Sequence, residues 1–163
     1  MAFDAKCLID DELAKFVSHW GGHAADHINK KGKGMEATVI VTILALMQFT
    51  LFGIQVGSMR AKHGVKAPAV TGHDEFERMN RVHINTLEQL VVFIPALWLH
   101  AQYANTNPLW GALIGLVYII GRFIYRAEYL KDPSSRSPGF TLSFLPSAVL
   151  LIWTLVVVVL GMI

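Results

Sequence analysis

The stretch that decides the fold runs from Asp74 to Gln89 and reads DEFERMNRVHINTLEQ. It opens a long apolar segment, yet Arg81, Asn85 and Glu88 recur within it at spacings of four and three. On a helix these three side chains share one face. The residues that follow, as far as Tyr103, are apolar enough to enter a bilayer. A charge at the centre of a membrane helix costs roughly 2.5–3.5 kcal/mol on the insertion scale. Charged groups persist there when they pair with one another or line a wet pocket for a polar ligand. The spacing therefore predicts a helix whose first turns stand at the membrane surface and whose polar face borders such a pocket.

The totals agree with a membrane setting. Of 163 residues, 53% are hydrophobic and 16% charged, which is too apolar for an ordinary soluble domain. The formal net charge of +2 is too small for nucleic acid binding, and the basic residues are split between short loops. A single cysteine, Cys7, excludes an internal disulfide, so any thiol chemistry would use a ligand's thiol. The opening MAFDAKCLIDDELAK lacks the basic start and apolar run of a secretory signal.

The expected architecture is an all-α membrane protein: an amphipathic N-terminal leader over residues 1–34, then a four-helix transmembrane bundle over 35–163. In the leader, Leu13, Phe16, Val17 and Trp20 form one apolar stripe, and a short surface helix is expected. His19, His23 and His27 recur every four residues. That spacing suits zinc or copper, but no cysteine or carboxylate completes a set, so an exposed polar stripe is the favoured reading. The spans are expected at about Met35–Met59, Asp74–Tyr103, Pro108–Leu130 and Phe140–Ile163. Gly53/Gly57 and Gly111/Gly115 are small pairs that permit close helix approach. Gln48 and Gln55 are expected to hydrogen-bond between helices. Asp74 is the expected N-cap of the second span, with Glu77 completing a capping box, and Pro95 is expected to kink it. Asn107 is expected to cap the third span ahead of Pro108. Its far end carries Tyr118, Arg122, Tyr125, Arg126 and Tyr129 on one face, with Tyr118 read as packing and Arg126 as a snorkelling charge. His63, His73 and His100 are read as surface or interface residues, and Trp98 and Trp110 as interfacial anchors.

Most lysines and arginines fall in or near loops one (60–73) and three (131–139), and loop two (102–107) has none. The positive-inside rule then places loops one and three in the cytoplasm, although Lys30, Lys31 and Lys33 argue the other way. The polar faces of the second and third spans thus lie at one end. Arginines, tyrosines, an amide and a carboxylate together suit a small anionic ligand that also bears an ammonium group. There is no zinc motif, phosphate-binding glycine loop or serine–histidine–acid signal. A peptide-like molecule with two carboxylates fits better than a nucleotide.

The run EFERMNRVHINTLEQ resembles the second-helix signature of the MAPEG superfamily, the membrane-associated proteins of eicosanoid and glutathione metabolism. The pattern Arg81-x-His83-x-Asn85-x-Leu87-Glu88 is most similar to its microsomal glutathione transferase branch, and Phe76-Glu77-Arg78 to its leukotriene-forming branch. GLVYIIGRFIY, 115–125, resembles the family's third helix, and Arg136-Ser137 resembles loop residues of its prostaglandin E synthases. The likeness covers about Val56–Phe140 together with the four-span topology.

The resemblance implies a homotrimer among membrane lipids, with glutathione held between subunits. Position by position, it implies that Arg60, Arg81, His83, Asn85, Glu88, Arg122, Tyr125 and Tyr129 hold the tripeptide. Arg136 would stabilise its thiolate and Ser137 would assist. The implied activity is a glutathione transferase or glutathione-dependent peroxidase acting on a hydrophobic small molecule or lipid. Ile124 and Phe140 are apolar where some relatives carry arginine or tyrosine, and Ala61 replaces a second arginine, which bears on the lipid substrate. The rival readings are a non-catalytic lipid-binding scaffold of the same architecture and a structural membrane trimer in which Arg81 and Glu88 merely pair.

Overall fold

The computed structural model describes residues 33–162. The leader, with Cys7 and its three histidines, lies outside the described residues except at Lys33 and Gly34, which already belong to the first helix. In chain order the elements are α1 (Lys33–Lys62), α2 (Asp74–Tyr103), α3 (Leu109–Lys131), a single 3₁₀ turn (Pro133–Arg136) and α4 (Ser137–Leu160). No strand occurs among the described residues. All four helices are long and apolar enough to cross a membrane, as expected. A helix satisfies its own backbone groups, which is why an apolar chain in oil takes this form. Hydroxyls follow the same logic: Thr38, Thr42, Thr86 and Thr154 each donate to the carbonyl four residues earlier.

The boundaries depart from expectation at three places. The N-cap of α2 is His73, not Asp74: the His73 Nδ1 accepts from Glu75 N. Glu77 does not complete a capping box, since its Oε1 instead accepts from Gly72 N at 2.9 Å. The fourth span starts at Ser137 rather than Phe140, because Pro138 sits in its first turn, where a missing N–H goes unnoticed. Asn107 behaves as expected, its Oδ1 accepting from Leu109 N. α2 continues through Pro95 as one helix.

Two apolar clusters fill the bundle. One gathers Val41, Ala45, Leu90, Phe93, Leu97, Tyr118 and Leu150; the other gathers Phe52, Met79, Val82 and Tyr125. Along α1, α2 and α3 a polar residue separates them: Gln48, Thr86 and Arg122 respectively. Gln48 donates to Ile119 O at 2.9 Å and Gln55 accepts from Arg126 Nε at 2.7 Å, so both glutamines join helices. Half-buried Arg126 meets the Gln55 side-chain carbonyl and lies 6.0 Å from the Phe52 ring, both on α1. Tyr118 packs as read, stacked on Phe93 with ring centroids 3.8 Å apart.

α3 and α4 form the most extensive helix pair. Glycines set how close they come. A Cβ at Gly121 would lie 2.7 Å from Leu142 C and Ser143 N, and one at Gly139 would collide with the Tyr125 backbone. Gly111 and Gly115 similarly admit His100 and Val41. Replacing Gly121 by Ala is expected to cost about 1–3 kcal/mol through overpacking. It should appear as a lower thermal midpoint in detergent; an unchanged midpoint would mean the two backbones are not in contact there.

Candidate functional site

Four elements deliver polar side chains to one end of the bundle. α2 presents Arg81, Asn85 and Glu88, and α3 presents Arg122, Tyr125 and Tyr129. The 3₁₀ turn and the first turn of α4 add Arg136, Ser137 and Thr141. Local bonds fix that turn. Asp132 accepts from Ser134 N at 2.9 Å and also from its hydroxyl. Chiefly through that hydroxyl, the Asp132 carboxyl is held below the usual carboxylate range. Glu128 Oε2 accepts from Gly139 N at 3.2 Å, tying α3 to the start of α4. Arg78 Nη1 donates to Leu130 O and Lys131 O, tying α2 to the end of α3.

Between these ends opens a cavity of about 440 Å³, lined by Arg81, Asn85, Tyr125, Tyr129, Arg136, Ser137, Phe140 and Thr141. Its volume lies in the roughly 300–1,000 Å³ range of ligand sites. A second hollow of about 350 Å³ adjoins it, sharing Asn85 and Phe140. Val92, Phe144, Ala148 and Leu151 make its wall apolar, and Glu88 and Gln89 stand along it.

The guanidiniums differ sharply in how far they are committed. Arg122 has no exposed surface. Its Nη1 donates to Asn85 Oδ1 at 3.1 Å and Ser143 Oγ at 3.4 Å; its Nη2 donates to Thr86 Oγ1 at 2.7 Å and Val82 O at 3.4 Å. The Tyr125 ring covers it at 4.3 Å. Arg81 makes only a loose 3.7 Å pair with Glu88, both side chains about half exposed. Arg136 is exposed and donates weakly to Pro133 O at 3.4 Å, with no carboxylate in ion-pair range among the described residues. Asn85 is oriented from both sides, because its Nδ2 donates to Glu88 Oε2 at 3.0 Å.

Of the ten residues singled out in the sequence, Arg81, Asn85, Tyr125, Tyr129, Arg136 and Ser137 line one cavity. Glu88 borders the adjoining groove and bonds Asn85. Arg122 lies beneath the floor and meets the cavity only through Asn85 and Tyr125. Two are not brought in within one chain. Arg60 turns into its own loop, donating to Ala69 O at 2.9 Å, with its guanidinium 4.6 Å from the Phe76 ring centre. His83 stacks on Phe49 of α1 with centroids 4.4 Å apart. Sequence reasoning missed Thr86, the nearest Arg122 acceptor, and Thr141 on the cavity wall, and met Phe140 only as an apolar departure from the family pattern. Thr86 follows Arg81 by five positions, off the polar stripe, so spacing gave no signal for it.

Residues 38–156 match the MAPEG family, a span that takes in most of all four helices. The chain belongs to the MAPEG family. An uncharacterised protein of Synechocystis sp. is 43% identical over 116 residues, 71% of this chain and 83% of that one. Human microsomal glutathione S-transferase 2 is 42% identical over 103 residues, 63% of this chain and 69% of its own length. Guinea-pig (Cavia porcellus) leukotriene C4 synthase is 34% identical over 96 residues, 59% of this chain and 63% of its own. With four spanning helices, this MAPEG chain is a multi-pass membrane protein.

Within this MAPEG bundle Arg122 is a positioning group. Arg122→Met should remove four hydrogen bonds and leave Thr86 and Asn85 unmatched, destabilising by about 2–5 kcal/mol. Thermal unfolding in detergent, followed by tryptophan fluorescence, checks this; a midpoint equal to that of the native protein would remove Arg122 from the framework.

Proposed function

We propose that this protein is a membrane-bound glutathione transferase that joins the tripeptide's thiol to an apolar electrophile dissolved in the bilayer. The observation carrying this reading is the pairing of two chambers: a polar cavity with under-committed Arg81 and Arg136, and an apolar groove opening from it. The named activities of the transferase and synthase relatives support it.

The donor set suits glutathione, which carries two carboxylates, an ammonium, two amides and a thiol. Arg81 has donors left for a carboxylate, and Glu88 offers the one carboxylate on α2's polar stripe for the ammonium. Asn85, held by Arg122, presents an amide in fixed orientation. Tyr125 and Tyr129 add hydroxyls at the wall. Arg60 and His83 would serve the cavity of a neighbouring protomer in a homotrimer, since within one chain they face elsewhere. Loops one and three, with the cavity between them, would face the cytoplasm, where the thiol is available.

A free thiol has a pKa of about 8.5 and is mostly protonated at neutral pH. Arg136 would favour the thiolate by direct charge stabilisation, and Ser137 Oγ would donate a hydrogen bond beside it. The apolar groove would hold the electrophile within reach, so catalysis is largely orientation plus charge stabilisation. With a lipid hydroperoxide as second substrate, the same arrangement would support peroxidase chemistry. The ion-pair alternative, in which Arg81 and Glu88 only serve each other, is poorly supported by a 3.7 Å contact between half-exposed groups.

Detergent-purified protein tests this directly. Arg136→Ala is expected to keep glutathione affinity within about threefold, by calorimetry, while turnover of a chloroaromatic electrophile falls roughly 100-fold. Unchanged turnover would remove Arg136 from the mechanism. Glu88→Gln should instead raise the glutathione Kd about tenfold or more, equivalent to ~1.4 kcal/mol. A Kd equal to the native value would count against the ammonium contact, and no glutathione binding by the native protein would leave the lipid-scaffold reading.

A further inference from the structure

A separate constellation sits in loop one. His63, just past α1, and His73, the N-cap of α2, stack with ring centroids 3.5 Å apart and planes within 12°. His63 Nε2 is 2.9 Å from Glu75 Oε2. One ligand atom from each of His63, His73 and Glu75 lies within 4.8 Å of the other two. The two imidazoles are far apart in a short basic turn, and other groups bring them together. Arg60 Nη1 reaches Val65 O and Ala69 O across the loop, Gly72 N donates to Glu77 Oε1, and the Val65 side chain lies against Gly72. The loop is thus held in shape by contacts that do not involve the histidines.

Two imidazoles and a carboxylate converging at this range are the donor set of a borderline ion such as zinc. Apart from the His63–Glu75 hydrogen bond, what now occupies these donors is weak. The His73 Nδ1 contact to Glu75 N is 3.3 Å, beyond the usual 2.7–3.2 Å of such bonds. Lys62 Nζ is 2.7 Å from Glu75 Oε2, but both side chains are more than half exposed, and such pairs contribute roughly 0–1 kcal/mol. An entering dication would displace both contacts and bridge His63 and Glu75 in place of their hydrogen bond, and the freed Glu75 N–H and Lys62 ammonium would be hydrated.

We propose that His63, His73 and Glu75 bind one divalent transition-metal ion of the zinc type, clasping the end of α1 to the start of α2. The fourth position of a tetrahedral site is left to water, and the clasp is structural. It ties the two helix ends together and requires neither glutathione nor the cavity.

The test uses full-length, detergent-purified protein without a polyhistidine tag, stripped with a chelator. Zinc is titrated by calorimetry and cobalt by its visible absorption. One equivalent per chain is expected, with micromolar or tighter affinity and an intense tetrahedral cobalt band. His63→Gln and His73→Asn should each weaken binding at least tenfold. Asparagine is itself a favoured N-cap, so His73→Asn keeps α2 capped while removing the imidazole. Zinc should raise the thermal midpoint of the native protein and not that of the double variant. Absence of stoichiometric binding would overturn the proposal. So would equal affinity in the His63→Gln/His73→Asn double variant, which would assign the ion to another cluster such as His19, His23 and His27.

Discussion

The bundle depends on one buried cation. Arg122 sits wholly inside the helices, where desolvation costs several kcal/mol, and no carboxylate touches it among the described residues. It is offset by four acceptors on two helices: Val82 O, Thr86 Oγ1 and Asn85 Oδ1 of α2, and Ser143 Oγ of α4. Hydrogen bonds to a charged group contribute about 1.5–3 kcal/mol each, so the set is of the size needed. The Tyr125 ring adds a cation–π contact at 4.3 Å. Because the acceptors belong to α2 and α4 while the guanidinium belongs to α3, none of the three helices can rotate without breaking the set.

That constraint propagates to the cavity. Asn85 is the one residue that belongs to the Arg122 set, to the polar cavity and to the apolar groove. Its amide cannot flip, because Arg122 demands the oxygen and Glu88 accepts from the nitrogen. The glycines act on the same interface. Gly121 lies one residue before Arg122, and Gly139 lets α4 reach the Tyr125 backbone. Close helix approach there is what keeps the guanidinium dry and places Phe140 where the two hollows meet.

The helices were legible because membrane insertion leaves the chain few choices: four apolar runs of the right length, separated by short polar loops, become four helices. The caps were less so, because Asp74, Glu77 and His73 all offer acceptors within one turn and only the loop's path selects His73. Of the site, the α2 stripe was readable from spacing, and Arg136 and Ser137 only from family resemblance. Role was harder to read than position. Arg81 and Arg122 look alike in sequence, each an arginine at the polar end of an apolar helix. Burial separates them, and burial depends on where α4 lies. The partner of Arg126 is illegible for the same reason, since Gln55 is far from it in the chain and adjacent in space. His63 and His73 carried no signal, because nine intervening residues in a loop say nothing about whether two rings meet.

The three arginines at this end then form a gradient with a functional consequence. Arg122 is dry and bonded through both terminal nitrogens, Arg81 is loosely paired, and Arg136 is nearly unpaired and wet. A buried guanidinium whose terminal nitrogens are already bonded can orient neighbours but has little left for a ligand. One with spare donors can bind an anion without first breaking a protein contact. A guanidinium that serves as a structural tie is buried among acceptors, as Arg122 is, or paired with a carboxylate. Arg136 is neither, although Asp132 lies four residues away. Ser134 occupies that carboxylate through both its amide and its hydroxyl. The turn thus withholds the nearest partner from Arg136 and leaves its guanidinium on the cavity wall, as the proposed stabilisation of a transient thiolate requires.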